Sequence, residues 1–170
     1  MNVMKYLAGY PAPLVDEVRR LMAEGRLGAL LAQRYPTRHA VRTDAALYDY
    51  VAELKALFMR KAQPLSRVGF DSRLHVVSQA LGLHTTISRV QGGRLKAKRE
   101  IRIAAVFRDL PAEFLRMVVV HELAHIKERE HDKAFYQLCV HMEPDYHRYE
   151  FDLRAYLCHV EAGGAAWCPA

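Results

Sequence analysis

The stretch Val118-Val119-Val120-His121-Glu122-Leu123-Ala124-His125, with His131 six residues further on, decides how the rest of this chain is read. On an α-helix, His121 and His125 are about 400° apart in rotation. Their side chains therefore differ by only ~40° in direction and ~6 Å along the axis. Two imidazoles so placed converge on one metal ion, and Glu122 projects from the next position toward a water held there. This is the H-E-x-x-H pattern of zinc hydrolases, two ligands and a general base. A β-strand over the same residues would set the histidines ~13 Å apart, too far to share an ion.

His131 joins them only if the helix stops. Continued as helix, it would be rotated about 600° from His125 and face away. The chain must therefore leave the helix near 127–130 and turn back. The spacing from His121 to His131 equals that of the metzincin pattern, H-E-x-x-H-x-x-G-x-x-H. Glu128 stands where that pattern has Gly, and no residue from 126 to 130 is Gly or Asn. The usual aid to a positive-φ turn is missing, so the turn has to be made another way.

H-E-x-x-H is short enough to arise by chance on a polar helix. Here Phe114, Leu115, Met117, Val118, Val119, Val120, Leu123, Ala124 and Ile126 leave the segment almost no polar face, which predicts a buried helix. A carboxylate and two imidazoles buried there are costly unless a cation compensates them. The third histidine at workable spacing points the same way. One zinc ion per chain, on His121, His125 and His131 with Glu122 as catalytic base, is the expectation.

At 170 residues the chain suits one globular unit with a real core, and 51% apolar and 26% charged residues are ordinary for that class. Its longest apolar run near the motif, 117–120, falls far below the ~18 residues of a membrane span, and the start has no pattern of a cleaved leader. A cytoplasmic protein without a membrane partner is expected. Cys139, Cys158 and Cys168 are odd in number and show no C-x-x-C spacing, which argues against a disulfide framework or zinc ribbon. A net charge of +6 is compatible with anionic partners without demanding them.

Along the chain, residues 13–34 read as helix in two pieces interrupted at Gly25. A second helix starts at Thr43 or Asp44 and carries Leu47, Tyr50, Val51, Leu54, Leu57 and Phe58. Arg19, Arg20, Arg34, Arg38 and Arg42 are expected at the solvated surface. Residues 66–71 read as loop and 72–81 as a short helix, with His75 and His84 as isolated polar residues. From 84 to 107 the period becomes two: a strand, a Gln91-Gly92-Gly93-Arg94 hairpin turn, then a strand whose outer face carries Arg94, Lys96, Lys98 and Arg102. Those four are candidate substrate-binding residues at the rim of the site, against the plainer reading of a solvated face. Residues 101–107 should lie innermost. Asp109-Leu110-Pro111 launches the metal-binding helix, Asp132 caps the next one, and Pro144 opens a last helix. Domain boundaries follow: 1–64 a helical extension packed on the core, 65–160 the metal hydrolase domain, 161–170 a flexible tail.

From about 83 to 157 the chain resembles the YgjP-like metallopeptidase family. The segments that carry this are Ser88-Arg89-Val90-Gln91-Gly92-Gly93, the strand over 100–107, HELAHIKEREHDKAFY at 121–136 and Glu143-Pro144-Asp145-Tyr146. The resemblance implies a zincin-like α+β fold: a small antiparallel or mixed sheet packed on the H-E-x-x-H helix, with an N-terminal helical hairpin. It also implies zinc on His121, His125 and His131 and the base role of Glu122. Many relatives carry S-R-W-G-S-C where this chain has residues 88–93, so a cleft shaped by that hairpin would differ here. Three functions are weighed. The first is a zinc hydrolase of the peptidase type, in which Glu122 activates a metal-bound water. The second, which the resemblance also implies, is metal-dependent hydrolysis of a nucleoside triphosphate such as UTP. The third is a non-catalytic, zinc-stabilised module binding nucleic acid through the basic strand, although no aromatic lies between Arg94 and Arg102 to stack on bases.

Overall fold

The computed structural model describes residues 3–74 and 100–167. A 3-10 turn at Val3–Leu7 precedes α1 (Ala12–Ala23) and α2 (Leu27–Arg34), with Gly25 between them at φ +67°. Glycine enters that left-handed region without the Cβ penalty, so the two helices can turn against each other there. Next comes α3 (Asp44–Phe58), with the Thr43 hydroxyl accepting from the Ala46 backbone N–H as its N-cap.

Strand β1 (Arg67–Asp71) pairs with β2 (Glu100–Ala104) in parallel, Val68 opposite Ile101 and Phe70 opposite Ile103. This corrects two expectations. Residues 67–71 are strand, not loop, and the described sheet is parallel, where an antiparallel or mixed one was expected. Gly69 in mid-run and the shortness of R-V-G-F-D hide the strand locally. It forms because Val68 is buried beside Ile101 and Ile103, a packing fact that local propensity does not contain. Parallel pairing depends on a long crossover, and no period-two pattern reveals it. The backbone N–H of Phe70 donates to Asp44 Oδ1 at 2.9 Å, tying β1 to the start of α3. Of the short helix expected over 72–81, the described residues 72–74 form a turn and not helix; its remainder, the strand over 85–90, the hairpin turn at 91–94, His75, His84, Arg94, Lys96, Lys98 and Cys168 all lie outside the described residues.

A 3-10 turn at Ala105–Arg108 leads into α4 (Ala112–Ala124), followed by α5 (Lys133–Met142) and α6 (Tyr146–Glu161). The fold is mixed α+β. Helix α4 is the hub, packing on α5, α6, α3 and β2, and nine of its thirteen residues are buried. One hydrophobic cluster runs from Tyr6 through Val51, Ile103 and Val119 to Cys158, so the N-terminal helices share their core with the segment carrying the motif. Of the tail expected over 161–170, the described part lies against α6, where the Trp167 backbone N–H donates to Tyr156 Oη. Among the described residues no helix is long and apolar enough to cross a membrane.

Arg34 is not simply solvated. It donates to both carboxylate oxygens of buried Asp152 on α6, at 3.0 and 2.8 Å, and the Tyr35 hydroxyl donates to the same group. Burial raises the proton affinity of the Tyr35 phenol, and the Asp152 carboxylate beside it adds to the effect. Asp152→Ala strands the buried Tyr35 hydroxyl, whereas Arg34, 43% exposed at its side chain, turns to solvent. We expect a loss of about 1–3 kcal/mol, read as a lower urea midpoint at unchanged slope. A midpoint equal to wild type would deny the clasp any part in joining α2 to α6.

Candidate metal centre

The centre is assembled at the C-terminal end of α4. His121 sits in its last turn with 5% exposure, Glu122 follows, and His125 is the residue on which the helix ends. The ending tightens into 3-10 geometry: the Ile126 N–H donates to the Leu123 carbonyl and the Lys127 N–H to the Ala124 carbonyl, both at 3.0 Å. No non-glycine residue among those described has positive φ. The turn is closed instead by a side chain, His125 Nδ1 donating to the Glu128 carbonyl at 2.9 Å. Glu128, in the place of the metzincin glycine, thus contributes only its backbone. Asp132 then caps α5 by accepting from the Phe135 N–H at 3.0 Å, and His131 stands just ahead of that cap.

The three Nε2 atoms of His121, His125 and His131 form a nearly equilateral triangle with edges of 3.2, 3.1 and 3.2 Å. Imidazoles bound at 2.0–2.1 Å to one tetrahedral ion have N···N edges of roughly 3.3 Å. The triangle fits a small divalent cation without rearrangement. The donor chemistry agrees. The Glu128 carbonyl is purely an acceptor, so in the neutral ring His125 Nδ1 carries the hydrogen and Nε2 presents its lone pair. Lone pairs gathered at 3.1–3.2 Å repel unless a cation lies between them.

Phe135 floors the site. Its fully buried ring lies 5.0, 4.4 and 4.8 Å from the ring centroids of His121, His125 and His131. Tyr146, at the start of α6, meets His121 from behind, with Oη 2.7 Å from Nδ1. The sequence marks Phe135 only as an apolar helix position and Tyr146 only as part of a family-like tract. Arg102 is engaged in an ion pair. Its guanidinium pairs with Asp71 across the parallel strands, so part of its charge is already answered.

With no cation beside it, burial pushes the Glu122 carboxyl up to about 7 from its ordinary 4.5. The native state then binds this proton more tightly than the unfolded chain does. Stability of the metal-free protein therefore drains away as pH rises from 4.5 to 7, by up to about 3 kcal/mol, and the penalty is complete above 7. Urea unfolding of chelator-treated wild type and Glu122→Gln at pH 5 and 8 isolates this carboxyl. The variant should gain on wild type at pH 8. A difference independent of pH would mean that the carboxyl is solvated.

A family model described as YgjP-like, metallopeptidase domain matches residues 47–156. A curated relative from Escherichia coli (strain K12), named UTP pyrophosphatase, is 57% identical over 163 residues, covering 96% of this chain and 98% of its own length. No solved structure matches the chain.

Proposed function

This chain belongs to the YgjP-like family and is a metal-dependent hydrolase; from that premise we propose that it is a zinc enzyme of zincin-like fold that hydrolyses a phosphoanhydride bond of UTP or a related nucleoside triphosphate. The observation that carries the substrate is the 57% identity, spread over nearly the whole length of both chains, to a protein named for that reaction. The geometry supports it. Three neutral imidazoles leave a divalent cation its full charge, which suits a polyanion better than a neutral amide.

His121, His125 and His131 would hold the ion, and a zinc ion there supplies a Lewis acid and lowers the pKa of a coordinated water toward ~7. Glu122 accepts the proton of the attacking water. It then hands the proton toward the departing phosphate oxygen. Phe135 keeps bulk water from the inner side of the rings. Arg94, Lys96 and Lys98 remain the proposed groups for the phosphate chain, with Arg102 contributing what Asp71 leaves of its charge.

The peptidase reading is second, favoured by the H-E-x-x-H helix and the family's description. A purely non-catalytic module has no place in a hydrolase family. Zinc-loaded protein should be offered UTP, the other nucleoside triphosphates and a peptide library side by side. Phosphate or pyrophosphate release that is fastest with UTP is the expected result. Peptide cleavage with no nucleotide turnover would hand the enzyme to the second reading.

A further inference from the structure

The turn that ends α3 and the residues that follow His125 enclose a cavity of about 520 Å³, lined by residues 57–63 and by Ile126 and Lys127. Small-molecule sites run from roughly 300 to 1,000 Å³. The lining is apolar at Leu57, Phe58 and Ile126, and the charged residues described in it are all cations: Arg60, Lys61 and Lys127. The α3 side is held firmly. Lys55 Nζ donates to the Ala62 carbonyl at 2.8 Å and the Ala62 N–H to the Met59 carbonyl at 3.0 Å, which fixes the turn bearing Arg60 and Lys61. Phe58 is braced edge-on against the His141 ring, with centroids 5.6 Å apart. Leu57 is 65% exposed, the most of any large apolar side chain described.

We infer that this cavity is a nucleotide subsite of the metal centre: the nucleoside lies against Leu57, Phe58 and Ile126, and Arg60, Lys61 and Lys127 hold phosphate oxygens. Basic residues just past a helix end ordinarily answer its last carbonyls. Arg60 does so with Nε, on the Ala56 carbonyl at 3.1 Å, and keeps the other donors of its guanidinium. Lys61 and Lys127 are exposed and donate to no carboxylate or carbonyl among the described residues. Their charges are uncommitted. A cleft lined by one sign of charge concentrates the opposite ion, and a polyanion relieves the repulsion among the three cations. A nucleoside triphosphate divides as this lining does, into a flat, largely apolar base and an anionic chain. The connection to the chemistry is short. Ile126 follows His125 directly and comes four residues after Glu122, so cavity wall, metal ligand and base share about one helical turn. The N-terminal helices thereby gain a part in substrate binding.

This rests on the reading of the substrate as a nucleoside triphosphate, and binding tests it without turnover. The probes are the non-hydrolysable α,β-imido analogue of UTP and inorganic tripolyphosphate, titrated into the zinc-loaded protein. Lys61→Glu and Lys127→Glu should each weaken both probes by roughly 10-fold or more. Leu57→Ser should weaken the nucleotide by roughly 10-fold and leave tripolyphosphate within about twofold. Arg19→Glu, the same charge change on α1, should leave both within about twofold. All four side chains are exposed, and matching unfolding midpoints confirm that the variants are folded. Wild-type affinities in the two lysine variants overturn the inference. So does an equal loss in Arg19→Glu, which would assign the effect to the overall field, and so does a Leu57→Ser protein that binds the nucleotide like wild type. Failure of the substrate reading itself looks different: wild type then binds neither probe and cleaves peptides alone.

Discussion

Glu122→Gln is expected to fold, to retain zinc and to lose 10²–10⁴-fold in turnover, the range by which a positioned general base accelerates such a step. Glutamine matches the shape of the side chain and cannot take a proton. Neither carboxylate oxygen belongs to the imidazole triangle, so the donor set for the ion is intact. The carboxyl is also a poor structural element. Burial disfavours its charge, and it makes no hydrogen bond or ion pair among the described residues. Activity and stability should therefore move in opposite directions, with the variant dead and at neutral pH no less stable. Stoichiometric zinc with turnover unchanged would remove Glu122 from the chemistry, whichever substrate is right.

Replacing His131 with alanine should weaken zinc binding by more than 100-fold, beyond the 10–100-fold that follows from disturbing a ligand's outer partner. His121 and His125 come from one helix and would still face each other at 3.2 Å, so a residual two-ligand site survives. In the proposed site His131 closes the triangle from a separate segment, and its loss would remove the link a bound ion would make between the end of α4 and the mouth of α5. The stabilisation conferred by zinc depends on RT ln(1 + [L]/Kd), so a 100-fold weaker site forfeits about 2.7 kcal/mol of it. Wild type should thus melt several degrees higher on adding zinc, and His131→Ala should barely respond. Asp132 still caps α5 in this variant, so the metal-free proteins should melt together. Equal zinc-induced shifts in both would show that the third histidine is not a ligand.

The two halves of the centre differ in how far the sequence discloses them. His121, Glu122 and His125 are legible because helical periodicity alone brings i and i+4 to one side, and the apolar run before them marks the helix as buried. His131 is legible as a candidate because continued helix would exclude it. How the turn is made is not: it depends on a ring nitrogen of His125 reaching a backbone carbonyl three residues on. Phe135 and Tyr146 carry no local mark of their roles. Each belongs to a different helix from the histidines it touches, and only the packing of α5 and α6 on α4 brings them there. The ion pair that exposed Arg34 makes is hidden for the same reason, since its partner Asp152 is 118 residues away.

Short-range stereochemistry, then, is what the amino-acid order of this protein settles unaided. It sets the helix over 112–124, its caps and breaks, the three candidate ligands and the base, because each depends on residues within about one or two turns of one another. Tertiary structure alone decided that 67–71 is a strand, that it runs parallel to 100–104, and that a phenol and a phenyl ring close the back of the metal centre. Those choices are made by which buried surfaces find each other across tens of residues of chain. The free energy of that burial is written in no single segment.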